Sequence, residues 1–311
     1  MHKIYITGIA GFIGFHLAKK LVNEGYEVGG CDNFNAYYDV QLKRDRQRIL
    51  IDEFDVYIDP YSLDTQYCGA LNPLKEPVVH DYDAVVHLAA YAGVRHSLKY
   101  PQPYIDNNIT GTQQLITKCE ELEIPVLYAS SSTADSDLLN PYAWSKFVNE
   151  KQFQSSSLLA AGLRFFTVYG EWGRPDMALA SFAKAIAQGK PIDVYNHGDM
   201  QRDFTYVGDL VDGIHIILEN LLLTPAINHH EIYNLGTGNS NELMDYIECI
   251  ENELGRVAQK NFLPMHPADV QSTQADISKA QSLGYYPTTS IQEGVKRYID
   301  WFKEYHKGMY F

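Results

Sequence analysis

The feature that most constrains the fold of this chain is a glycine-rich turn near its start. In KIYITGIAGFIGFHLAKKLVNEG, residues 3–25, an apolar run leads into the turn and a stretch with helical periodicity follows it. The first predicts a β-strand, and the second predicts a helix that stops at Gly25. Gly8 permits the tight bend, Gly11 leaves room for a pyrophosphate, and Gly14 lets strand and helix pack closely. The spacing GxxGxxG in this context predicts a dinucleotide-binding unit.

A carboxylate follows the second predicted strand. Asp32 ends the segment YEVGGCD and stands eighteen residues beyond Gly14. An acid at this position accepts hydrogen bonds from both ribose hydroxyls of NAD and repels the 2′-phosphate of NADP. The alternative is an ordinary strand–turn–helix unit that binds nothing. The glycine turn and the acid together favour NAD as the cofactor.

Strands and helices alternate through the first half of the chain. Further strands are predicted in the apolar segments FDVYID, DAVVHLAA and PVLYASSS, and AGLRFFTVYG is predicted to be a strand followed by a turn. One long helix is predicted in YIDNNITGTQQLITKCEELE, and another directly after Tyr142. This alternation is typical of right-handed βαβ units on a parallel sheet. We therefore predict an α/β fold with a Rossmann-type doubly wound parallel sheet.

The pattern becomes less regular beyond residue 170. We predict an NAD-binding Rossmann domain over residues 1–170 and a smaller C-terminal α/β substrate lobe over residues 171–311, with a cleft between them. The segment FTYVGDLVDGIHIILENLL predicts a helix and EIYNLGT a short strand, and the tail is predicted to be mostly helical. Parts of residues 204–237 are expected to return to the first domain.

Charge and cysteine content exclude several classes of protein. The formal net charge of −14 argues against binding to nucleic acid or to anionic membranes, since both would be repelled. No charged and apolar leader precedes the first strand, and no segment has the length of a membrane span. The cysteines are far apart and form no CxxC pair, which predicts free thiols without a disulfide framework or a metal site. They are Cys31, Cys68, Cys119 and Cys249. We expect a cytoplasmic protein.

A hydroxyl, a phenol and an amine follow the fifth predicted strand. Ser131 ends that strand in ASSST, and Tyr142 and Lys146 lie four positions apart in NPYAWSK, on one face of the next helix. A free tyrosine has a pKa of about 10, too high for a base at neutral pH. A neighbouring ammonium group stabilises the phenolate, which can then remove a hydroxyl proton while hydride leaves the same carbon. Chance often produces YxxxK, but its place after a dinucleotide-binding turn and a serine-ended strand favours catalysis over a packed tyrosine.

Several segments carry a resemblance to a known family. TGIAGFIG, HLAAYAGVR, ASSST and PYAWSK together resemble the extended short-chain dehydrogenase/reductases that act on nucleotide sugars. The segments CDNFNAYYDVQLKRDR, GLRFFTVYGEWGRPDM and LPMHPADV resemble the UDP-glucuronate 4-epimerases in particular. The resemblance covers nearly the whole chain. It implies that NAD stays bound and that a 4-keto sugar turns over in the pocket before hydride returns to its other face.

The resemblance also implies roles for individual residues. The catalytic residues would be Ser131, Tyr142 and Lys146. The residues implied to contact NAD are Gly8, Gly11, Phe12, Ile13, Gly14, Asp32, Asn33, Asp59, Leu88, Ala89, Ala90, Asn107, Tyr142, Lys146 and Phe165. The residues implied to contact the UDP-sugar are Arg95, Ser132, Thr133, Thr167, Arg174, Tyr195, Arg202 and Asp269. Of these, Arg95 could equally meet the sugar carboxylate or brace its own loop.

Two neutral residues follow the catalytic serine. Dehydratases that resemble this chain carry an Asp–Glu pair there, and related decarboxylases carry a glutamate. Ser132 and Thr133 cannot supply an acid and a base for elimination, but they can donate hydrogen bonds to a sugar carboxylate. The pair therefore favours epimerisation with the carboxylate retained.

The chain also departs from the family pattern. The segment between Ser131 and Tyr142 is about half the usual length, which leaves Ser132 as an alternative catalytic hydroxyl and leaves substrate selection open. The alternatives are a UDP-glucose or UDP-N-acetylhexosamine 4-epimerase and a nucleotide-sugar-binding protein without catalysis. The resemblance further implies a homodimer formed through the helix around Asn108–Glu121 and the helix after Tyr142.

Overall fold

The structure is a computed structural model that describes residues 2–58, 81–135, 140–223, 229–266 and 269–310. The chain forms two compact units, and neither is continuous in sequence. The first unit consists of Met1–Phe165, Val211–Asn234 and Lys279–Tyr285. The second consists of Phe166–Leu210, Leu235–Ser278 and Tyr286–Phe311.

The first unit is built on a seven-stranded sheet. Its strands are β1 (Lys3–Thr7), β2 (Glu27–Cys31), β3 (Tyr57–Ile58), β4 (Ala84–His87), β5 (Val126–Ser131), β6 (Ala160–Phe165) and β11 (His230–Leu235). They lie in the order β11-β6-β5-β4-β1-β2-β3, and the neighbouring strands from β6 across to β3 all pair in parallel. The predicted α/β class with a Rossmann-type parallel sheet is confirmed.

Helices flank this sheet, and side chains cap the N-termini of two of them. In chain order they are α1 (Phe12–Asn23), α2 (Val40–Phe54), α3 (Val94–Lys99), a π-helical segment (Tyr104–Gly111), α4 (Thr112–Leu122), α5 (Pro141–Ser155) and α7 (Val207–Leu223). Asp39 caps α2 by accepting from the Gln41 amide at 2.9 Å, and Asn140 caps α5 by accepting from the Ala143 amide at 2.9 Å. Apolar residues of β1, β4, β5, α4 and α5 form a buried cluster between sheet and helices.

The second unit combines three helices with pairs of short strands. The helices are α6 (Ala178–Ala187), α8 (Leu243–Leu254) and α10 (Ile291–Tyr305), and the short α9 (Ser278–Gln281) lies at a boundary between the units. The strands are β7 (Thr167–Tyr169), β8 (Ile192–Val194), β9 (Gln201–Arg202), β10 (Phe204–Tyr206), β12 (Asn241–Glu242) and β13 (Lys260–Phe262). Strands β7 and β10 pair in parallel, as do β8 and β13, whereas β9 and β12 pair antiparallel.

The structure corrects three sequence-based predictions. The segment AGLRFFTVYG forms two strands, because the chain leaves the large sheet after Phe165 and pairs again only from Thr167. The helix predicted from Phe204 starts at Val207, because Phe204–Tyr206 pair with β7 instead. The helix predicted from Tyr104 is π-helical over its first eight residues. The structure also contains α2, for which no prediction was made. Among the described residues, no helix is both long and apolar enough to cross a bilayer.

Candidate active site

Close packing requires the glycines of the first turn. Gly8 has φ +75°, and its amide donates to the Cys31 carbonyl at 2.7 Å, which ties the turn to the end of β2. A Cβ atom on Gly8 would lie 2.9 Å from the Ala89 amide nitrogen, and one on Gly14 would lie 2.3 Å from the Gly8 carbonyl oxygen. A Cβ on Gly11 would also meet the Gly8 oxygen, at 2.8 Å. All three predicted glycines are therefore needed for the turn itself.

The turn delivers the N-terminus of α1 without a side-chain cap. Gly11 occupies the N-cap position, and no side chain bonds to the first-turn amides of this helix, which begins at Phe12. An uncapped helix N-terminus after a glycine turn favours a phosphate group, since amide donors and the helix dipole both point to it. Phe12, Ile13 and Gly14 all lie in this first turn, so the residues present fit the pyrophosphate of NAD.

A buried carboxylate lies at the end of β2, as predicted. Asp32 directly follows this strand, is buried, and accepts from the Phe34 amide at 2.8 Å. The next residues form a compact loop through their own side chains: Asn33 Oδ1 accepts from the Asn35 amide at 3.1 Å. These hydrogen bonds hold the side chains of Asp32 and Asn33 in fixed positions. Asp59, also predicted to contact NAD, lies outside the described residues.

A chain of buried polar groups fixes the segment after β4. The Leu88 amide donates to the Thr7 carbonyl at 3.1 Å, and the Ala89 amide donates to Thr7 Oγ1 at 3.2 Å. The same hydroxyl lies 2.7 Å from His87 Nδ1, and His87 Nε2 lies 3.1 Å from Thr112 Oγ1. Burial, with a smaller effect from the charge of Lys146, lowers the pKa of His87 to about 3, so its ring is neutral. Leu88 and Ala89 therefore have a rigid support, which the sequence analysis missed.

The predicted catalytic hydroxyl ends β5. Ser131 is buried, its Oγ lies 2.9 Å from Thr133 Oγ1, and the Thr133 amide donates to it at 3.3 Å. Ser132 and Thr133 begin a short 3₁₀ turn, Ser132–Asp135, and both are partly buried. Ser131 and Thr133 thus form one hydroxyl cluster at the carboxyl end of the strand.

Helix α5 carries the predicted phenol and amine. Asn140 caps the helix and Pro141 is its first residue, so Tyr142 stands in the first turn. The Tyr142 ring meets the Tyr104 ring edge-on at 6.2 Å between centroids. One turn further, Lys146 is buried and donates from Nζ to the Ala129 carbonyl at 2.8 Å. The structure therefore ties the amine to β5 two residues before Ser131, and the three predicted catalytic residues share one strand end and the helix beside it.

The electrostatics of Lys146 depend on its burial. Burial lowers its pKa to about 8, and the charge of Glu150 opposes this effect. Glu150 is itself buried and accepts from Ser130 Oγ at 2.6 Å. Arg164 donates to both carboxylate oxygens of Glu150, at 2.8 and 2.9 Å, and forms an ion pair with Asp135 at 2.9 Å. This network of Ser130, Glu150, Arg164 and Asp135 was missed because its members are spread over β5, α5, β6 and the turn after β5.

Three further predicted residues lie in the first unit. Phe165 is buried and sits opposite Ser131 in the pairing of β5 with β6, so it lies at the same strand end. Asn107 belongs to the π-helical segment, and its Nδ2 donates to the Pro103 carbonyl at 3.0 Å. Arg95 is exposed on α3, and Ala90 is partly buried beyond β4.

The residues predicted to hold a UDP-sugar lie in the second unit, apart from Arg95, Ser132 and Thr133. Thr167 begins β7, and its amide donates to the Asp203 carbonyl at 3.1 Å. Arg174 forms an ion pair with Asp176, with 2.5 Å between Nη2 and Oδ2.

Arg202 and Asp269 interact electrostatically in this unit. Arg202 donates to the Gln271 carbonyl at 2.9 Å, and burial lowers its pKa while Asp269 opposes the shift. The Tyr195 ring lies edge-on to His266 at 6.4 Å.

One buried acid that the sequence analysis missed organises this second group. The Asp203 carboxylate accepts from the amides of Thr237, Gly238 and Ala275 at 2.7, 3.0 and 3.1 Å. It thereby joins three segments that are far apart in sequence, directly beside Arg202. A charged residue inside the segment QRDFTY was the only signal in the sequence.

Comparisons with known proteins agree with this geometry. The model of the NAD dependent epimerase/dehydratase family matches residues 4–236. The chain is 38% identical to the UDP-glucuronate 4-epimerase of Thermodesulfobacterium geofontis, covering 96% of this chain and 95% of that protein. It is 36% identical to the probable UDP-glucuronate 4-epimerase of Rhizobium meliloti, covering 97% of each.

A solved structure is similar over the same length. The UDP-glucuronic acid 4-epimerase of Bacillus cereus, in complex with UDP-glucuronic acid and NAD, matches with a TM-score of 0.87 and 33% identity, covering 97% of this chain and 99% of that one. The alignments with the Thermodesulfobacterium and Rhizobium proteins run over 319 and 335 residues, more than the 311 residues of this chain. Each relative therefore contains residues that have no counterpart in this chain.

Proposed function

Since the chain belongs to the NAD dependent epimerase/dehydratase family, we propose that it catalyses the NAD-dependent 4-epimerisation of a UDP-sugar, converting UDP-glucuronate to UDP-galacturonate through a 4-keto intermediate. The observation that carries this function is the arrangement at the end of β5. Ser131 ends this strand, and Lys146, one turn after Tyr142 on α5, donates to the Ala129 carbonyl of the same strand. Full-length similarity to UDP-glucuronate 4-epimerases supports the same substrate.

The first unit holds the cofactor. The amides at the start of α1 bind the pyrophosphate, Asp32 and Asn33 bind the adenosine ribose, and Leu88 to Ala90, Asn107 and Phe165 line the remainder. When bound there, NAD would supply the reversible hydride acceptor that a change of configuration at C4 of the sugar requires. The buried supports of Asp32 and Ala89 keep this site rigid, which favours a cofactor that stays in place through both half-reactions.

Tyr142 moves the proton. Its phenolate removes the proton of the sugar 4-hydroxyl and gives it back in the second half-reaction. The first turn of α5 favours a negative charge through the helix dipole, and Lys146, with a pKa of about 8, is mostly protonated at neutral pH and favours the same charge. Ser131 donates to the reacting oxygen and holds it in line with the phenolate.

Neutral donors beside Ser131 favour a uronic acid as substrate. A 4-keto uronic acid is a β-keto acid and loses carbon dioxide readily unless its carboxylate is held. Ser132 and Thr133 can donate to that carboxylate and provide no group that could remove a proton from C5. Arg95, exposed on α3, is the cationic candidate for the same carboxylate.

Residues of the second unit bind the UDP part of the substrate. Arg174 and Arg202 pair with the diphosphate, since guanidinium groups match phosphate oxygens in two-point contacts. Tyr195 covers the uracil ring, Asp269 accepts from the uridine ribose hydroxyls, and Thr167 donates to the sugar.

The proposal is tested by incubating the purified protein with UDP-glucuronate and, separately, with UDP-glucose, and by resolving the 4-epimers. We expect conversion of UDP-glucuronate and little of UDP-glucose. Tyr142→Phe should abolish turnover but leave NAD bound, as measured by nucleotide release after denaturation. Conversion of UDP-glucose alone would show that UDP-glucuronate is not the substrate. Loss of NAD in Tyr142→Phe would show that the tyrosine has a structural role.

The protein is further proposed to work as a homodimer in the cytoplasm. Large apolar side chains remain exposed in and beside the helices that the resemblance implies for dimerisation: Leu98 is 47% exposed, Ile105 36% and Trp144 43%. A second copy would cover them. Among the described residues, Cys119 and Cys249 are free thiols, which supports a reducing compartment.

A further inference from the structure

Helix α2 brings a buried ammonium group to the acid that selects NAD. Lys43 is 4% exposed, and its Nζ lies 3.9 Å from Asp32 Oδ1. The same Nζ donates to the carbonyl and to Oδ1 of Asn35, at 3.0 and 3.2 Å, and lies 5.0 Å from the centre of the Tyr38 ring. These contacts fix the ammonium group beside the carboxylate and prevent it from swinging out to water.

Other cations of α2 do not share this position. Arg46 is fully buried and donates to the Ala10 carbonyl at 2.9 Å and to Tyr38 Oη at 2.8 Å, so it braces the glycine turn. Arg44 is exposed, donates to Gln47, and stacks on Phe34 at 4.0 Å. Of these three cations, Lys43 is therefore the one that lies beside the carboxylate of Asp32.

Asp32 and Lys43 together place at one site the two kinds of side chain that distinguish NAD from NADP. An acid after the second strand accepts from the ribose 2′-hydroxyl of NAD, whereas a cation at this place accommodates the 2′-phosphate of NADP. With both present, the carboxylate cancels the charge of Lys43 and repels a phosphate.

We propose that Lys43 is a specificity-determining residue whose charge is masked by Asp32, so that removing this one carboxylate turns the site into one for dinucleotides with a 2′-phosphate. The inference rests on one part of the proposed function, the NAD site, and is independent of which sugar the protein binds.

The test measures binding of NAD and of NADP by isothermal titration calorimetry, on full-length protein freed of nucleotide and without sugar. The wild type should prefer NAD. In Asp32→Ser, which leaves space for a phosphate, NAD affinity should fall and NADP affinity should rise, each by about tenfold or more, the usual effect of a charge-assisted hydrogen bond in a buried site. The gained NADP affinity should weaken with added salt, since it comes from charge.

Two double variants assign the gain to one cation. In Asp32→Ser with Lys43→Met, the NADP gain should disappear. In Asp32→Ser with Arg44→Met, which removes the neighbouring exposed charge of the same helix, it should persist. Should Asp32→Ser fail to fold by circular dichroism, Asp32→Asn, with an unchanged side-chain shape, serves for the same three comparisons.

Three outcomes would overturn the inference while the NAD site stands. They are no gain of NADP affinity on removing the carboxylate, a gain that survives Lys43→Met, and a gain that is lost with Arg44→Met. A wild type that binds neither nucleotide would overturn the inference together with the function on which it rests.

Discussion

At the scale of single residues, Lys146 shows how burial adjusts a catalytic group. Its amine is out of water, which disfavours the charged form, yet the proposed chemistry needs that charge to stabilise a phenolate. The charge of Glu150, one helical turn away, raises the pKa of Lys146 and so offsets part of the effect of burial. Neutral His87 adds no competing charge. The surroundings of Lys146 thus leave it charged at neutral pH but close to losing its proton.

This balance predicts the effect of Glu150→Gln. The carboxylate raises the pKa of Lys146, so its removal should lower that pKa below about 8. Above its pKa the lysine is neutral and no longer supports the phenolate. The alkaline limb of the pH profile of kcat/KM should therefore move to lower pH in the variant, by a fraction of a unit to about one unit.

The matched control for this measurement is Asp135→Asn. Asp135 pairs with the same Arg164, but its side chain is 71% exposed and it belongs to the turn after β5 rather than to α5. The pH profile of kcat/KM of this control variant should coincide with that of the wild type. An equal shift in both variants, or none in Glu150→Gln, would mean that the network is only a structural brace.

The glycine turn and the position of Asp32 after β2 could be predicted from residue types, because both follow from local backbone geometry. The same holds for Ser131 at its strand end and for Tyr142 and Lys146 on the next helix, whose catalytic roles stay a prediction. The roles of Lys43 and Arg46 could not be predicted in this way. The sequence pattern predicts that both are ordinary surface cations of a helix. They are buried because Lys43 contacts Asn35 and Arg46 contacts Ala10, which is 36 positions away. A cation is buried or exposed according to distant partners that periodicity does not reveal.

At the scale of elements, long periodic segments were predicted well and short paired ones were not. Strands β1, β4 and β5 have continuous apolar runs and were found as expected. The three-residue strand Phe204–Tyr206 adjoins a helix of similar hydrophobicity, and only its pairing with β7, far away in the chain, makes it extended. The same holds for β9 and β12, each of two residues.

Asp203 leads to a prediction at this scale. Its carboxylate accepts three amides from two distant segments, so replacing it leaves buried donors without acceptors. We expect Asp203→Ala to lower the free energy of unfolding by about 3 kcal/mol or more, measured by urea denaturation.

Asp199→Asn provides the control from the same stretch of chain. That acid is exposed and accepts from Gln271 Nε2 at 2.9 Å, so its replacement should cost less than about 0.5 kcal/mol. Similar losses in the two variants would show that Asp203 does not organise the second unit.

At the scale of the whole molecule, association can be tested through the exposed apolar residues. Ile105→Glu places a charge in the π-helical segment beside α4, where a second copy would have to bury it. We expect light scattering after gel filtration to give twice the mass of the 35.3 kDa chain for the wild type and the monomer mass for this variant.

Tyr286→Glu is the control for the dimer, since Tyr286 is 66% exposed and lies in the second unit, on neither of the helices implied for dimerisation. It should keep the mass of the wild type. A monomeric wild type, or a dimer that persists in Ile105→Glu, would contradict the proposed assembly.

Both units are made of several separate segments of the chain, which limits where the protein can be divided. A gene fragment that ends at residue 165 would encode six strands of the large sheet but not β11, the edge strand beside β6. The truncated product would present the open edge of β6 to other chains and would tend to aggregate. The first unit therefore needs the later segments Val211–Asn234 and Lys279–Tyr285 as well, and a cut at residue 165 is not expected to yield a stable domain.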